Sequence, residues 1–214
     1  MSDELCMVYM LIAGRGELVR LIAAAGGLTL NESAELPAGE SKSQYVSPSG
    51  TPLLKHGDLK LSQSGAIEAY VGSVAPKFSG LTPQQRAIDG MYAGIKEEML
   101  SGCAKALFTT KKGEDVTKLL DDRWFPLMEA SIPAEGFING LAFPTVADLA
   151  VRSAGSSRKD LVEVGRSSRR VLGWAQGGCG AGRTIGGSTF RRAGSQGRRG
   201  ERPERGAPPE KIRG

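Results

Sequence analysis

Ser49-Gly50-Thr51-Pro52-Leu53-Leu54, then His56-Gly57-Asp58, then Gln63-Ser64-Gly65-Ala66-Ile67: this stretch orders the rest of the chain. Pro52 to Lys55 and Leu59 to Leu61 are short apolar-rich runs, and a Gly-Asp pair between such runs signals a β-hairpin. From Ser64 to Val74, the residues Ala66, Ile67, Tyr70 and Val71 fall on one face of a helix. Working back, Leu5 to Leu11 has the composition of a buried strand, and Gly14 to Gly16 break it. Leu18, Leu21, Ile22 and Ala25 then recur at helical spacing until Gly26-Gly27 ends the helix. A second strand is predicted within Leu28 to Leu36, and residues 37–50 are loop-like with one helical turn. The order β-α-β, loop, β-β-α suits a small mixed sheet covered by helices.

Beyond Pro76 the pattern is helical. Thr82-Pro83 is a helix start, with Thr as cap and Pro in the first turn. Ile88, Met91, Tyr92, Ile95, Met99 and Leu100 continue at three-to-four spacing, and Val116, Leu119, Leu120 and Leu127 repeat it over Val116 to Met128. Pro126 lies inside that segment, so a kink is predicted there. Thr145-Val-Ala-Asp148 has the form of a capping box opening a buried helix. From Arg152 onward 14 of 63 residues are glycine, 13 are arginine and only nine are Leu, Ile, Val, Phe, Trp or Tyr. So little apolar surface does not offset ordering entropy, and a disordered tail is expected.

Composition follows the same division. Of the 214 residues, those up to Val151 carry a net charge of −5 and those from Arg152 a net charge of +10. The overall +5 therefore describes neither part. Three cysteines without CxxC spacing offer no disulfide framework or zinc knuckle, and one histidine, His56, excludes a multi-histidine metal site. The acidic start Met-Ser-Asp-Glu does not suit a signal peptide. No apolar run approaches the roughly 20 residues that span a bilayer. A cytoplasmic protein with no membrane partner is expected. The tail's arginine pairs would attract phosphate, but only Trp174 and Phe190 could stack on bases, so specific nucleic-acid binding is not expected.

In order and spacing these motifs resemble the cytosolic glutathione S-transferases, in particular their tyrosine-type (alpha- and sigma-like) classes. Tyr9 precedes Gly14-Arg15-Gly16-Glu17 as that family's strand-end tyrosine precedes its G-R-x-E. Thr51-Pro52 is similar to its cis-proline turn, and Gln63-Ser64-Gly65-Ala66-Ile67 to its Q-S-x-A-I motif. Arg123-Trp124-Phe125-Pro126 resembles the alpha-class R-Y-F-P stretch, and the Thr145 box the family's buried cap. The likeness covers residues 4–151. It implies an α/β thioredoxin-like N-terminal domain (1–76), a truncated all-α C-terminal domain (82–151), and a departing tail (152–214). That tail has the composition of a shifted reading frame in GC-rich codons, or is a true addition.

The resemblance also implies glutathione as co-substrate, a small electrophile as its acceptor, a detoxification role and a homodimer. Tyr9 would activate the thiol. A free thiol has a pKa of about 8.5, and a phenol donating a hydrogen bond to sulfur favours the nucleophilic thiolate. Arg15 would support the site electrostatically. Gln63 and Ser64, at a helix start, suit the γ-glutamyl carboxylate. Thr51, before the cis bond to Pro52, would pair with the cysteinyl part. The family's Trp and Lys for the glycyl end are missing from the preceding loop, where Lys42 is the substitute. Glu97 would match an acid that reaches across the dimer, and Arg123 an alpha-class arginine. Glutathione-dependent prostaglandin isomerisation or peroxide reduction would use the same thiolate. A non-catalytic binding or scaffold protein of the same fold is the remaining alternative.

Overall fold

The computed structural model describes residues 4–10, 12–48, 50–110 and 113–161, all within the unit Met1–Gly180. Ser49 and most of the expected tail, from residue 162 on, lie outside them. Four strands, β1 (Leu5–Val8), β2 (Leu30–Ser33), β3 (Leu53–His56) and β4 (Leu59–Ser62), form one sheet in the order β2-β1-β3-β4. β1 runs parallel to β2 and antiparallel to β3, and β4 closes the sheet antiparallel to β3. His56 pairs with Leu59 across the predicted Gly57-Asp58 turn, where Gly57 takes a φ of 58°.

β1 explains where the candidate nucleophile activator sits. Leu5, Met7 and Tyr9 belong to the main core, while Val8 points to the other face, where it meets Tyr45 and Leu53. The period-two alternation of a strand thus delivers Tyr9 to the helix-covered side. The strand ends three residues earlier than Leu11. Tyr9 makes the last bond to β2, from its N–H to the Ser33 carbonyl at 2.9 Å, and Met10 and Ile12 are more than half exposed.

Helix α1 (Glu17–Gly26) buries Leu18, Val19, Ile22 and Ala23 against the sheet, and Gly27 ends it in the left-handed region at φ 82°. Helix α2 (Ser64–Val74) adds Ile67 and Val71. Helix α3 (Pro83–Thr110) opens on a reciprocal capping box: the Gln85 N–H donates to Thr82 Oγ1 at 3.2 Å, and the Thr82 N–H to Gln85 Oε1 at 2.9 Å.

The single helix predicted over Val116 to Met128 is divided. Helix α4 (Gly113–Leu119) passes into a π-helical turn, Leu120–Trp124, and then into α5 (Phe125–Ser131). Pro126 has no N–H to close an α-helical bond with the Asp122 carbonyl, so the ladder widens just ahead of it rather than kinking at it.

Helix α6 (Val146–Leu161) does not stop at Val151, where the tail was expected to begin. Ser153, Ala154 and Gly155 are buried, so small residues with little apolar surface still lie inside the packed layer. Asp89 of α3 fixes the start of α6. Its Oδ1 accepts from Ala147 N–H at 2.9 Å, Thr145 Oγ1 at 2.6 Å and Asn139 Nδ2 at 3.0 Å. Asp148 closes the predicted box by accepting the Thr145 N–H at 2.7 Å. One apolar cluster runs from β1 and α1 through α3 to Leu149, Ala150 and Val151 of α6.

Candidate functional site

The site forms where the end of β1, the Gly14–Gly16 turn, the start of α2 and the middle of α3 converge. Tyr9 is only 6% exposed. Its ring rests on Gly16, whose missing side chain makes the room: a Cβ there would lie 2.3 Å from the ring. Its hydroxyl oxygen accepts the Arg15 backbone N–H at 3.1 Å. A phenol oxygen that accepts a hydrogen bond still has its own proton to donate, and accepting one makes it a better donor.

The Arg15 side chain is engaged by α3. Its Nε donates to Glu97 Oε1 at 2.6 Å and its Nη2 to Ser101 Oγ at 3.0 Å. Ser64, at the start of α2, donates its hydroxyl to Glu97 Oε2 at 3.1 Å. Four of the residues singled out in the sequence, Tyr9, Arg15, Ser64 and Glu97, thus make one connected network. The acid that the resemblance sends across a subunit boundary is here engaged within its own chain.

Gln63 lies beside this network with an exposed side chain and a φ of 70°. A non-glycine residue in that region carries about 1–3 kcal/mol of strain. Glycine there would relieve it, at an entropic cost of about 0.5–1 kcal/mol. Gln63→Gly should therefore stabilise the fold by about 1 kcal/mol, read as a higher urea midpoint with unchanged slope. An unchanged or lower midpoint would show that the backbone is not strained.

The Thr51–Pro52 bond is cis, with Pro52 buried at the foot of β3. Lys42 is exposed on the short turn Lys42–Tyr45. Arg123 is not in the network. It pairs with Glu98 at 3.1 Å and stacks over the Trp124 ring at 4.6 Å, with both ion-pair partners more than 60% exposed.

Two further sets of residues support the site. Arg20 of α1 lies over the Tyr9 ring, 5.7 Å from its centroid. It donates to the carbonyls of Ile12 at 2.8 Å and Met10 at 3.1 Å, and grips Glu32 of β2 with Nε at 3.0 and 2.8 Å. It therefore holds down the segment that follows Tyr9. Its only sequence signal is an i,i+3 spacing from Glu17. The second set clasps the loop before Thr51. Glu40 accepts from Lys55 Nζ at 2.7 Å and from the Tyr45 hydroxyl, with Lys60 Nζ at 3.2 Å. The bonds from Lys55 and Tyr45 hold the Glu40 carboxyl down at about 2, so the clasp persists until the pH approaches that value.

Among the described residues no cluster of His, Cys, Asp or Glu could hold a metal ion, and no helix is long and apolar enough to cross a membrane.

With its mixed β2-β1-β3-β4 sheet, covering helices and helical second layer, the chain has a glutathione S-transferase-like fold. It is similar to the crystal structure of the glutathione S-transferase from Ascaris lumbricoides, at 22% identity and a TM-score of 0.59 over 81% of this chain and 90% of that one. Similar too is a Caenorhabditis elegans glutathione S-transferase, at 20% identity and a TM-score of 0.64 over 82% and 92%. A delta-class glutathione transferase of Nilaparvata lugens aligns at 22% and 0.61 over 80% and 86%. No family model and no curated protein sequence matches the chain.

Proposed function

We propose that this protein is a glutathione transferase in which Tyr9 activates the thiol for attack on a small electrophile. The observation that carries the reading is the placement of a buried phenol, already accepting a backbone N–H, in one network with Arg15, Ser64 and Glu97. Glutathione would lie with its γ-glutamyl end at Gln63 and Ser64, where the first N–H groups of α2 favour a carboxylate, and with its cysteinyl backbone along Thr51. Lys42 would reach the glycyl carboxylate. The Glu97 carboxylate, drawn to the mouth of the site by Arg15, suits the γ-glutamyl ammonium.

The Tyr9 O–H would then donate to sulfur. That bond favours the thiolate over the thiol, and each unit by which it lowers the thiol pKa raises the thiolate fraction about tenfold below that pKa. The sulfur lone pair attacks the electrophilic carbon, and the displaced leaving group or added proton completes the reaction. A homodimer in the cytoplasm belongs to the same reading, as the family resemblance of the sequence implies.

Tyr9→Phe keeps the ring and removes the donor. Conjugation of glutathione to a chromogenic aryl halide near pH 6.5 should fall by more than about tenfold, while retention on immobilised glutathione persists. Equal rates for the two proteins, or no conjugation by the unsubstituted chain, would overturn the reading.

A further inference from the structure

Beneath the site lies a lysine with no contact to water. Lys96 of α3 is 0% exposed and Glu68 of α2 1%, and Lys96 Nζ donates to Glu68 Oε1 at 2.5 Å. The same Nζ lies 3.7 Å from Glu97 Oε2. Glu97 in turn holds Arg15 at 2.6 Å, and the Arg15 backbone N–H holds the Tyr9 oxygen at 3.1 Å. Four charges alternate in sign along this line: Glu68, Lys96, Glu97, Arg15. The remaining Glu68 oxygen, Oε2, accepts no hydrogen bond among the described residues, so Lys96 is its principal compensation.

The two carboxylates of the line, Glu68 and Glu97, border a cavity of about 430 Å³ between α2 and α3. From α3 the charged groups bordering it are Glu97, Arg86 and Asp89; from α6 only Val146 reaches it. Asp89 is committed to the start of α6, which leaves Glu97 as the carboxylate to which Lys96 can turn if Glu68 is neutralised.

We infer that the buried Glu68–Lys96 pair is a positioning element for the Tyr9 site: by holding Lys96 on Glu68, it leaves Glu97 to Arg15. Neither is among the residues proposed to hold glutathione. Their role is to set how Glu97 divides itself between two cations. Neutral Glu68 releases Lys96, a buried cation seeks the nearest carboxylate, and Glu97 is drawn off Arg15. The catalytic consequence rests on the reading of Tyr9 as thiol activator; the structural consequence does not.

The test uses the full chain with glutamine at Glu68, and with both charges removed in E68Q/K96M. The first readout needs no glutathione: hydrogen exchange of the Arg15 Nε–H, followed by NMR and assigned through its loss in R15K. E68Q should speed that exchange about fivefold, within the coupling range of contacting charged groups. E68Q/K96M, which frees Glu97 for Arg15, should restore it. Burial raises the Glu68 carboxyl to about 7, so the ratio between E68Q and the unsubstituted protein should narrow as pH falls below that value.

The second readout is kcat/KM for glutathione, measured at a pH above the Glu68 value, where it should fall in E68Q and recover in the double variant. Unchanged Arg15 exchange in folded E68Q, or no recovery in the double variant, would overturn the inference. Should E68Q not fold, E68D, which draws the charge back from Lys96, carries the same comparison. If the unsubstituted chain conjugates nothing while E68Q still speeds Arg15 exchange, the proposed activity fails and the positioning role stands.

Discussion

Replacing Gly16 with alanine should reduce conjugation about a hundredfold and destabilise the fold by about 2–3 kcal/mol. The backbone is not the obstacle, since Gly16 has a φ of −83° that alanine adopts without strain. The obstacle is the Tyr9 ring. A Cβ at position 16 would stand 2.3 Å from Cδ1, 2.8 Å from Cε1 and 3.0 Å from Cγ. The ring has little room to yield: Arg20 lies over it at 5.7 Å, and Gly14 approaches its hydroxyl so closely that a Cβ there would be 3.0 Å away. Either the ring tilts, moving the donor by the order of an ångström, or the Gly14–Gly16 turn lifts from β1. Both misplace the phenol relative to Arg15. Denaturant unfolding and steady-state rates on the same preparation check the two effects. In a Tyr9→Ala background, where the ring is already gone, Gly16→Ala should cost little further stability, because the clash disappears with the ring. Full activity in G16A would show that Tyr9 does not need its present position.

Asp89→Ala should cost about 3–4 kcal/mol, and lower Tm by roughly 10 °C for a chain of this size. Asp89 is 5% exposed and its Oδ1 satisfies three donors, one of them the Ala147 N–H at the first turn of α6. Alanine leaves the Thr145 hydroxyl and that N–H buried without this acceptor, and removes the cap of a helix that packs on both α3 and α1. Asp89→Asn retains an acceptor oxygen and should cost about half as much. Burial raises the Asp89 carboxyl above its ordinary value. The folded chain therefore keeps that proton to higher pH than the unfolded chain. Its contribution to stability declines as pH climbs from the ordinary aspartate range through the folded value. D89N should flatten that part of the pH–stability curve. An alanine variant that melts with the unsubstituted protein would show that α6 is held by packing alone.

What could be anticipated from sequence was what repeats locally. The apolar run from Leu5 and the spacing of α1 and α2 are short-range patterns, whereas the roles expected of Tyr9 and Ser64 came from the order of motifs in the family resemblance. The Thr82 cap and the Thr145 capping box were equally legible, because each is closed within four residues; the reciprocal Gln85 bond at Thr82 was not anticipated. What escaped was long-range or small. Arg20 reaches Glu32 and the carbonyls beyond Tyr9, and Lys96 meets Glu68 from 28 residues away; no periodicity announces a pair of that kind. The run Ser153-Ala154-Gly155 looks like linker, yet it is buried in α6 because small residues can be core without being hydrophobic. The π turn before Pro126 was displaced from the expected kink by the geometry of one missing N–H.

The placement of the network has a consequence for modularity. Tyr9, Arg15 and Ser64 come from the sheet layer, whereas Glu97 and Ser101 come from α3, and a single apolar cluster joins the two. The thioredoxin-like layer is therefore not a detachable cassette that carries its chemistry with it. Transplanted alone it would bring the phenol and leave behind the acid that orders the arginine, so whatever selection acts on the site acts on the seam between the layers as much as on either one.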